Sequence, residues 1–292
     1  MQSNNPIFRR SEEFNRGGAN LYGNQTYAGN GAPMAGYGQT TDPSQWSVGA
    51  PGDTGYAPAT TGPMTIDSVV QKTAISLGLV IVSAAVTWLV TGDITANQVP
   101  GGLITALTVG SLVAFALSMV NSFKRVVSPG LVMAFAVAEG VAIGAFSKFI
   151  DSIYSSSGSG NLVIQAVVGT FAAFAGTLAA YKFFNIKVGA KFRMFVIAAV
   201  FGMVGLSLME LVLGLFSSSL GLFGFGSLGI LTAVAGLVLG VFMLILDFDF
   251  VELGIANRIP ERESWRAAFA MTVSLVWIYT NLLRLLAIFG DN

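Results

Sequence analysis

From Val69 onward the sequence runs as seven long apolar windows, at about 69–91, 102–121, 129–150, 162–184, 194–216, 228–249 and 268–289. Each comes close to the roughly 20 residues that a helix needs to cross the hydrocarbon of a bilayer. Turn and loop residues separate them: TGD and VPGG after the first window, SSSGSGN after the third, and the charged IANRIPERESW between the sixth and seventh. The pattern predicts an all-α, polytopic membrane protein with seven transmembrane helices over residues 64–292. No internal repeat is visible, so an inverted-repeat transporter gains no support.

Residues 1–63 are a different material. The stretch GGANLYGNQTYAGNGAPMAGYGQTTDP has neither helical nor strand periodicity. Such a segment cannot bury enough apolar surface to offset the entropy of ordering, so a disordered tail is expected. Its start lacks the charged, apolar, small-residue succession of a secretory signal, so the first window is expected to remain as an anchor. Basic residues then set the orientation. Arg9, Arg10, Arg16 and Lys72 precede or open the first helix, and Lys124 and Arg125 lie between helices two and three. Lys182, Lys187, Lys191 and Arg193 surround the junction of four and five, and Arg258, Arg262 and Arg266 that of six and seven. The opposite loops are nearly free of them, Lys148 being the exception. The N-terminus is therefore expected in the cytoplasm and the C-terminus outside.

Composition agrees. Of 292 residues 53% are apolar and 10% charged, where a soluble domain carries about 25% charged residues. Fifteen basic and fifteen acidic residues cancel, so no bulk charge draws the chain to nucleic acid. The absence of cysteine excludes disulfides and thiolate metal sites. The absence of histidine leaves any proton sensing near neutrality to carboxylates, titrating well above their ordinary range of about 4. No Walker loop, HExxH, GxSxG or CxxC occurs, so neither an enzyme nor a cofactor is expected. Glycines four apart, Gly140–Gly144 and Gly236–Gly240, predict close helix packing.

Acids inside these windows are the candidate chemistry, because a charge in hydrocarbon is costly unless it faces protein or water. Glu139 falls near the centre of helix three, where burial favours its neutral form. Glu210 in helix five lies nearer the outer face. Asp247 and Asp249, in LILDFDFVEL, lie near the cytoplasmic end of helix six, and the apolar FVELGIA lets that helix run on past them. Two positions apart on a helix means about 200° in direction, so they cannot share a face. One is expected inward and the other towards solvent, while Asp249 and Glu252 do share a face. The partial negative charge of a helix C-terminus disfavours a carboxylate there unless a cation compensates, and Lys124 and Arg125 are the available cations. Ser274 and Asn281 share a face of helix seven and could bond another helix or line a cavity, and Arg284 is expected to snorkel to the outer interface.

LILDFDFVEL ending helix six, NLLRLLAIF ending helix seven and AFAVAEG in helix three together resemble the Bax inhibitor-1/YccA-like membrane proteins, over about residues 65–290. The opening SNNPIFRR and the run WIYTNLLRLL look like the variant found in actinobacteria. The resemblance implies a pH-sensitive calcium leak in the bacterial plasma membrane, in which an Asp ending helix six works with a second Asp in helix seven. The helix-six acid carries over to Asp249, with Phe248 where Tyr is usual, as the pH-sensing group and transient calcium ligand. Asp247 is expected as the second pH-sensing and gating residue, and Glu139, Glu252 and Glu210 are the candidates for the ion pathway. The helix-seven acid does not carry over, since Ser274 stands at its place, and the family's basic latch is displaced to Lys124 or Arg125. Two rival readings stay open: a non-conducting regulator that binds other membrane proteins such as a membrane protease, and a proton-coupled transporter.

Overall fold

The computed structural model describes residues 62–94, 99–154, 162–216 and 220–290. The expected tail over 1–63 therefore lies outside the described residues, apart from Gly62 and Pro63. Among the described residues seven helices are long and apolar enough to cross a membrane: α1 (Ile66–Val90), α2 (Gly101–Phe123), α3 (Pro129–Tyr154), α4 (Leu162–Phe183), α5 (Ala190–Leu215), α6 (Ser227–Ala256) and α7 (Ser264–Gly290). The chain is an integral membrane protein with the helix count its windows predict.

Local chemistry sets the ends of these helices. At α1, Thr65 and Ser68 form a reciprocal cap, with Ser68 N donating to Thr65 Oγ1 (3.1 Å) and Thr65 N to Ser68 Oγ (3.2 Å). α6 continues well beyond the apolar window, to Ala256, so Asp247 and Asp249 sit inside a helix rather than at its end. Hydroxyls within the spans turn back on the carbonyl four residues earlier, as Thr170 does on Ala166 and Thr272 on Ala268 (2.7 Å each), which satisfies them without water.

α7 is the axis of the bundle: it packs against α1, α3, α4 and α6, and its sequence Ser264–Gly290 is buried on most sides. α2 leans on α3 from outside, and α5 leans on α6. The glycine pairs make the closest approaches. At Gly140 and Gly144 a side chain would strike the backbone of α1 at Val80 and Ala84, and at Gly236 and Gly240 it would strike Asn281 and Ile278 of α7. Close packing at both motifs is as expected.

Lys148, the cation on the wrong side by the charge rule, is buried. It donates to the Trp88 carbonyl (2.8 Å) and to that of Thr91, capping α1, and pairs with the exposed Asp93 (3.3 Å). At the basic end of the bundle, the segment before α1 is stitched to the turn between α6 and α7. Met64 N donates to the Ile259 carbonyl and Glu261 N to that of Gly62, each at 2.8 Å. Lys72 adds an ion pair to Glu261 (2.9 Å).

Candidate functional site

The acids near the basic end of α6 each reach a different helix. Ser274 Oγ of α7 donates to Asp247 Oδ2 at 2.6 Å. Arg193, one turn into α5, donates through Nη2 to Asp249 Oδ2 at 2.7 Å. Tyr181, near the end of α4, donates its hydroxyl to Glu252 Oε2 at 2.6 Å. Three carboxylates of one helix thus tie it to α7, α5 and α4. The roughly 200° between Asp247 and Asp249 is what sends them to separate neighbours. Phe248, between them, is buried against Phe174 and Tyr181 and fixes the rotation of α6.

This arrangement corrects the expected cation. Lys124 and Arg125 have exposed side chains that pair with no acid among the described residues, and their carbonyls accept from Arg266 at 3.4 and 2.9 Å. The guanidinium at Asp249 comes from α5, because α5 packs on α6 whereas α2 packs on α3. The division of one acid inward and one to solvent is also corrected. Asp249 is 8% exposed and ion-paired, while Asp247 is half-buried at the base of a groove of about 250 Å³ between α5 and α6, walled by Val196, Val200, Met243 and Leu246.

The remaining candidates are scattered. Glu139 is half-buried within α3, and no hydrogen bond or ion pair holds its carboxyl to the described residues. Glu210 receives the N–H groups of Leu220 (3.2 Å) and Gly221 (2.7 Å), so it ties α5 to the connection leading into α6 at the far end of the bundle. Asn281 donates to the Trp277 carbonyl of its own helix (2.8 Å) and lies over Gly236. Among the described residues no group of three or more acids is gathered to hold a metal ion. A cavity of about 430 Å³ between α1, α3, α4 and α7 is walled by apolar groups such as Trp88, Val167 and Leu275. Its Ser147 and Tyr279 hydroxyls bond each other at 2.6 Å, and no carboxylate lines it.

Sequence reasoning missed Arg193 and Tyr181, which served only as topology markers or not at all. It also misjudged Arg284, which is buried instead of snorkelling. Position in the chain carries no signal for a pairing across 56 residues such as Arg193 with Asp249.

A family model described as Bax inhibitor 1 like matches residues 5–291. The chain belongs to this family. The match begins at residue 5, so it takes in most of the tail that the resemblance by motifs left aside. Comparison with individual curated proteins returns no match. In this Bax inhibitor 1 like protein the motif match that set Asp249 against the α7 position is corrected. The α6 acid that faces the α7 position occupied by Ser274 is Asp247, and Asp249 serves the ion pair with α5 instead.

Proposed function

We propose that this Bax inhibitor 1 like protein is a pH-sensitive, calcium-permeable leak of the bacterial plasma membrane, closed at its cytoplasmic end by α6. The observation that carries the reading is the pair of α6 aspartates bonded to different neighbouring helices, Asp247 to Ser274 and Asp249 to Arg193. An ionised Asp249 holds the guanidinium of α5. Protonation removes the charge and leaves only a weaker neutral contact. α5 packs on α6 and on little else among the described elements, so it is the helix free to move when that tie loosens. Its movement would widen the groove in which Asp247 stands.

Calcium is a hard cation that takes oxygen ligands, and Asp247, Asp249 and Glu252 offer carboxylates at one end of the bundle. Because Asp249 is occupied by a guanidinium, a calcium ion reaches it only by displacing Arg193, which makes binding transient. With no histidine in the chain, the carboxylates are the groups able to answer to pH.

The test is flux from liposomes containing the purified protein, measured for calcium, potassium and protons over a pH series. Calcium flux that increases on acidification supports the proposal, and an Asp249→Asn variant should be open at neutral pH and nearly flat across the series. Liposomes that stay tight to calcium at every pH would favour the non-conducting regulator. Proton movement that saturates with a co-substrate would favour the transporter.

A further inference from the structure

The cavity between α1, α3, α4 and α7 is a slot open on one side. Its floor is buried, with Leu275 4% and Tyr279 8% exposed on α7 and Ser147 equally covered on α3. Its rim is not, since Ile81 and Leu89 of α1 and Phe171 of α4 belong to the same lining and are exposed. α1 packs on α3 and α7, and α4 on α7 and α6, whereas no such packing joins α1 to α4. The gap between these two helices is the mouth of the slot. Around membrane spans the medium at that mouth is hydrocarbon.

Its length matches one leaflet. The lining of α1 runs from Leu77 to Leu89, a rise of about 18 Å at 1.5 Å per residue. One leaflet holds about 15 Å of hydrocarbon. The inner end of the slot lies at mid-span, and the other reaches the polar groups that close α1. There Lys148 donates to the carbonyls of Trp88 and Thr91 and pairs with the exposed Asp93. Trp88 lines the slot at this end, as indoles do where hydrocarbon meets head groups. An apolar depth with a polar end is the profile of an amphiphile.

Other fillings fit less well. Water in a cavity needs two to four polar partners, and the hydroxyls of this lining are already engaged. Ser147 and Tyr279 bond each other at 2.6 Å, and Thr170 donates to the Ala166 carbonyl at 2.7 Å. An empty slot would forfeit the dispersion contacts of its walls. A helix of that length fills about 1,400 Å³, where the slot offers about 430 Å³.

We propose that this slot is a lipid site, which takes one acyl chain of a phospholipid from the leaflet opposite the basic loops and sets its head group beside Trp88 and Lys148. The chain supplies the packing that α1 and α4 do not give each other and completes the cover over α7. The site is independent of the leak reading, because it holds for a conducting or a silent protein alike.

The experiment reconstitutes the full chain in liposomes with a trace of phosphatidylcholine that carries a diazirine midway along one acyl chain. After illumination, the labelled residues are mapped by mass spectrometry. Labels on the floor residues Leu275 and Tyr279 are expected, because a chain lying against the outside of the bundle meets only the rim. Ala85→Trp and Val167→Phe fill the slot from opposite walls, and each should abolish the floor labels. Labels on Leu208, exposed on α5 away from the slot, should stay in all three proteins. Two variants are used so that one which fails to fold leaves the other to read. Wild type labelled on the rim and Leu208 but never on the floor overturns the site and leaves only the lipid that surrounds any membrane protein. Floor labels that persist in both filled variants mean that the probe arrives by another route, and overturn it too. Since the chain has no cysteine of its own, disulfide-linked dimers of Val167→Cys would place a second copy in the slot and overturn the lipid as its occupant.

Discussion

Ser274 on α7 donates a hydrogen bond of 2.6 Å to Asp247 on α6, although the match of motifs had set Asp249 against that position. The difference is two residues in the chain and about 200° around the helix. It decides which acid faces the axis of the bundle and which faces the peripheral helix α5.

Replacing Ser274 tests that assignment. Ser274→Ala leaves an acceptor in a half-buried groove without its donor, and the expected cost is about 1–3 kcal/mol, visible as a lower melting temperature in detergent. Ser274→Asp puts a second carboxyl within bonding distance of Asp247, where two like charges cannot both be carried without cost. The variant should share a proton between the two groups and give a steeper pH dependence of flux than wild type. An unchanged profile would remove Asp247 from the proton response.

Arg193 and the basic α2–α3 turn can be separated by charge removal. Arg193→Gln should raise calcium flux at neutral pH several-fold and flatten its response to acid. Lys124→Gln and Arg125→Gln should behave as wild type. Arg193 is half exposed, so the stability lost with its ion pair is expected to be about 1 kcal/mol, well below that of a fully buried pair. Equal effects at all three positions would mean that general surface charge, not the tie to Asp249, is being read.

The packing between α1 and α3 is testable at its glycines. Gly144→Val places a side chain against the Ala84 backbone, which cannot yield as a flexible side chain would. Destabilisation by about 1–3 kcal/mol is expected, or failure to accumulate in the membrane. Gly202→Val on α5, where nothing stands within 4 Å, should be tolerated. Thermal melts of the two variants side by side provide the comparison.

Lys148 should prove a cap and not a topology signal. Lys148→Met retains the apolar stem and removes the donors to Trp88 and Thr91, so a loss of about 1–3 kcal/mol is expected with orientation unchanged. Accessibility labelling of the loops on each side would check the orientation, and an inverted or mixed pattern would restore Lys148 to the charge count.

The fold was legible because the bilayer imposes it. Hydrocarbon demands internally bonded helices of a fixed minimum length, and Val69 to Phe289 carry that pattern with breakers between the windows. Gly140, Gly144, Gly236 and Gly240 were legible for a related reason, since small residues four apart leave one smooth face. The site was legible only as far as residue type goes. Asp247 and Asp249 stood out as acids in an apolar run, and periodicity told that they diverge. Their partners lie on other helices, and nothing local in the sequence reports which way α6 is rotated or that α5 is its outer neighbour. Arg284 was misjudged because its place near a helix end fits snorkelling equally well. The loop carrying Phe223 and Gly224, together with Thr232 of α6, holds it inside.

The bonds of Gly62 and Met64 to the turn after α6 fasten the start of the first span to the hairpin of the last two. The strap joins the residues ahead of α1 to Ile259 and Glu261, in the turn that follows the acid-bearing end of α6. Truncations that stop short of Gly62 should keep this strap, whereas those that remove Met64 cut it and loosen the hairpin joining the last two spans.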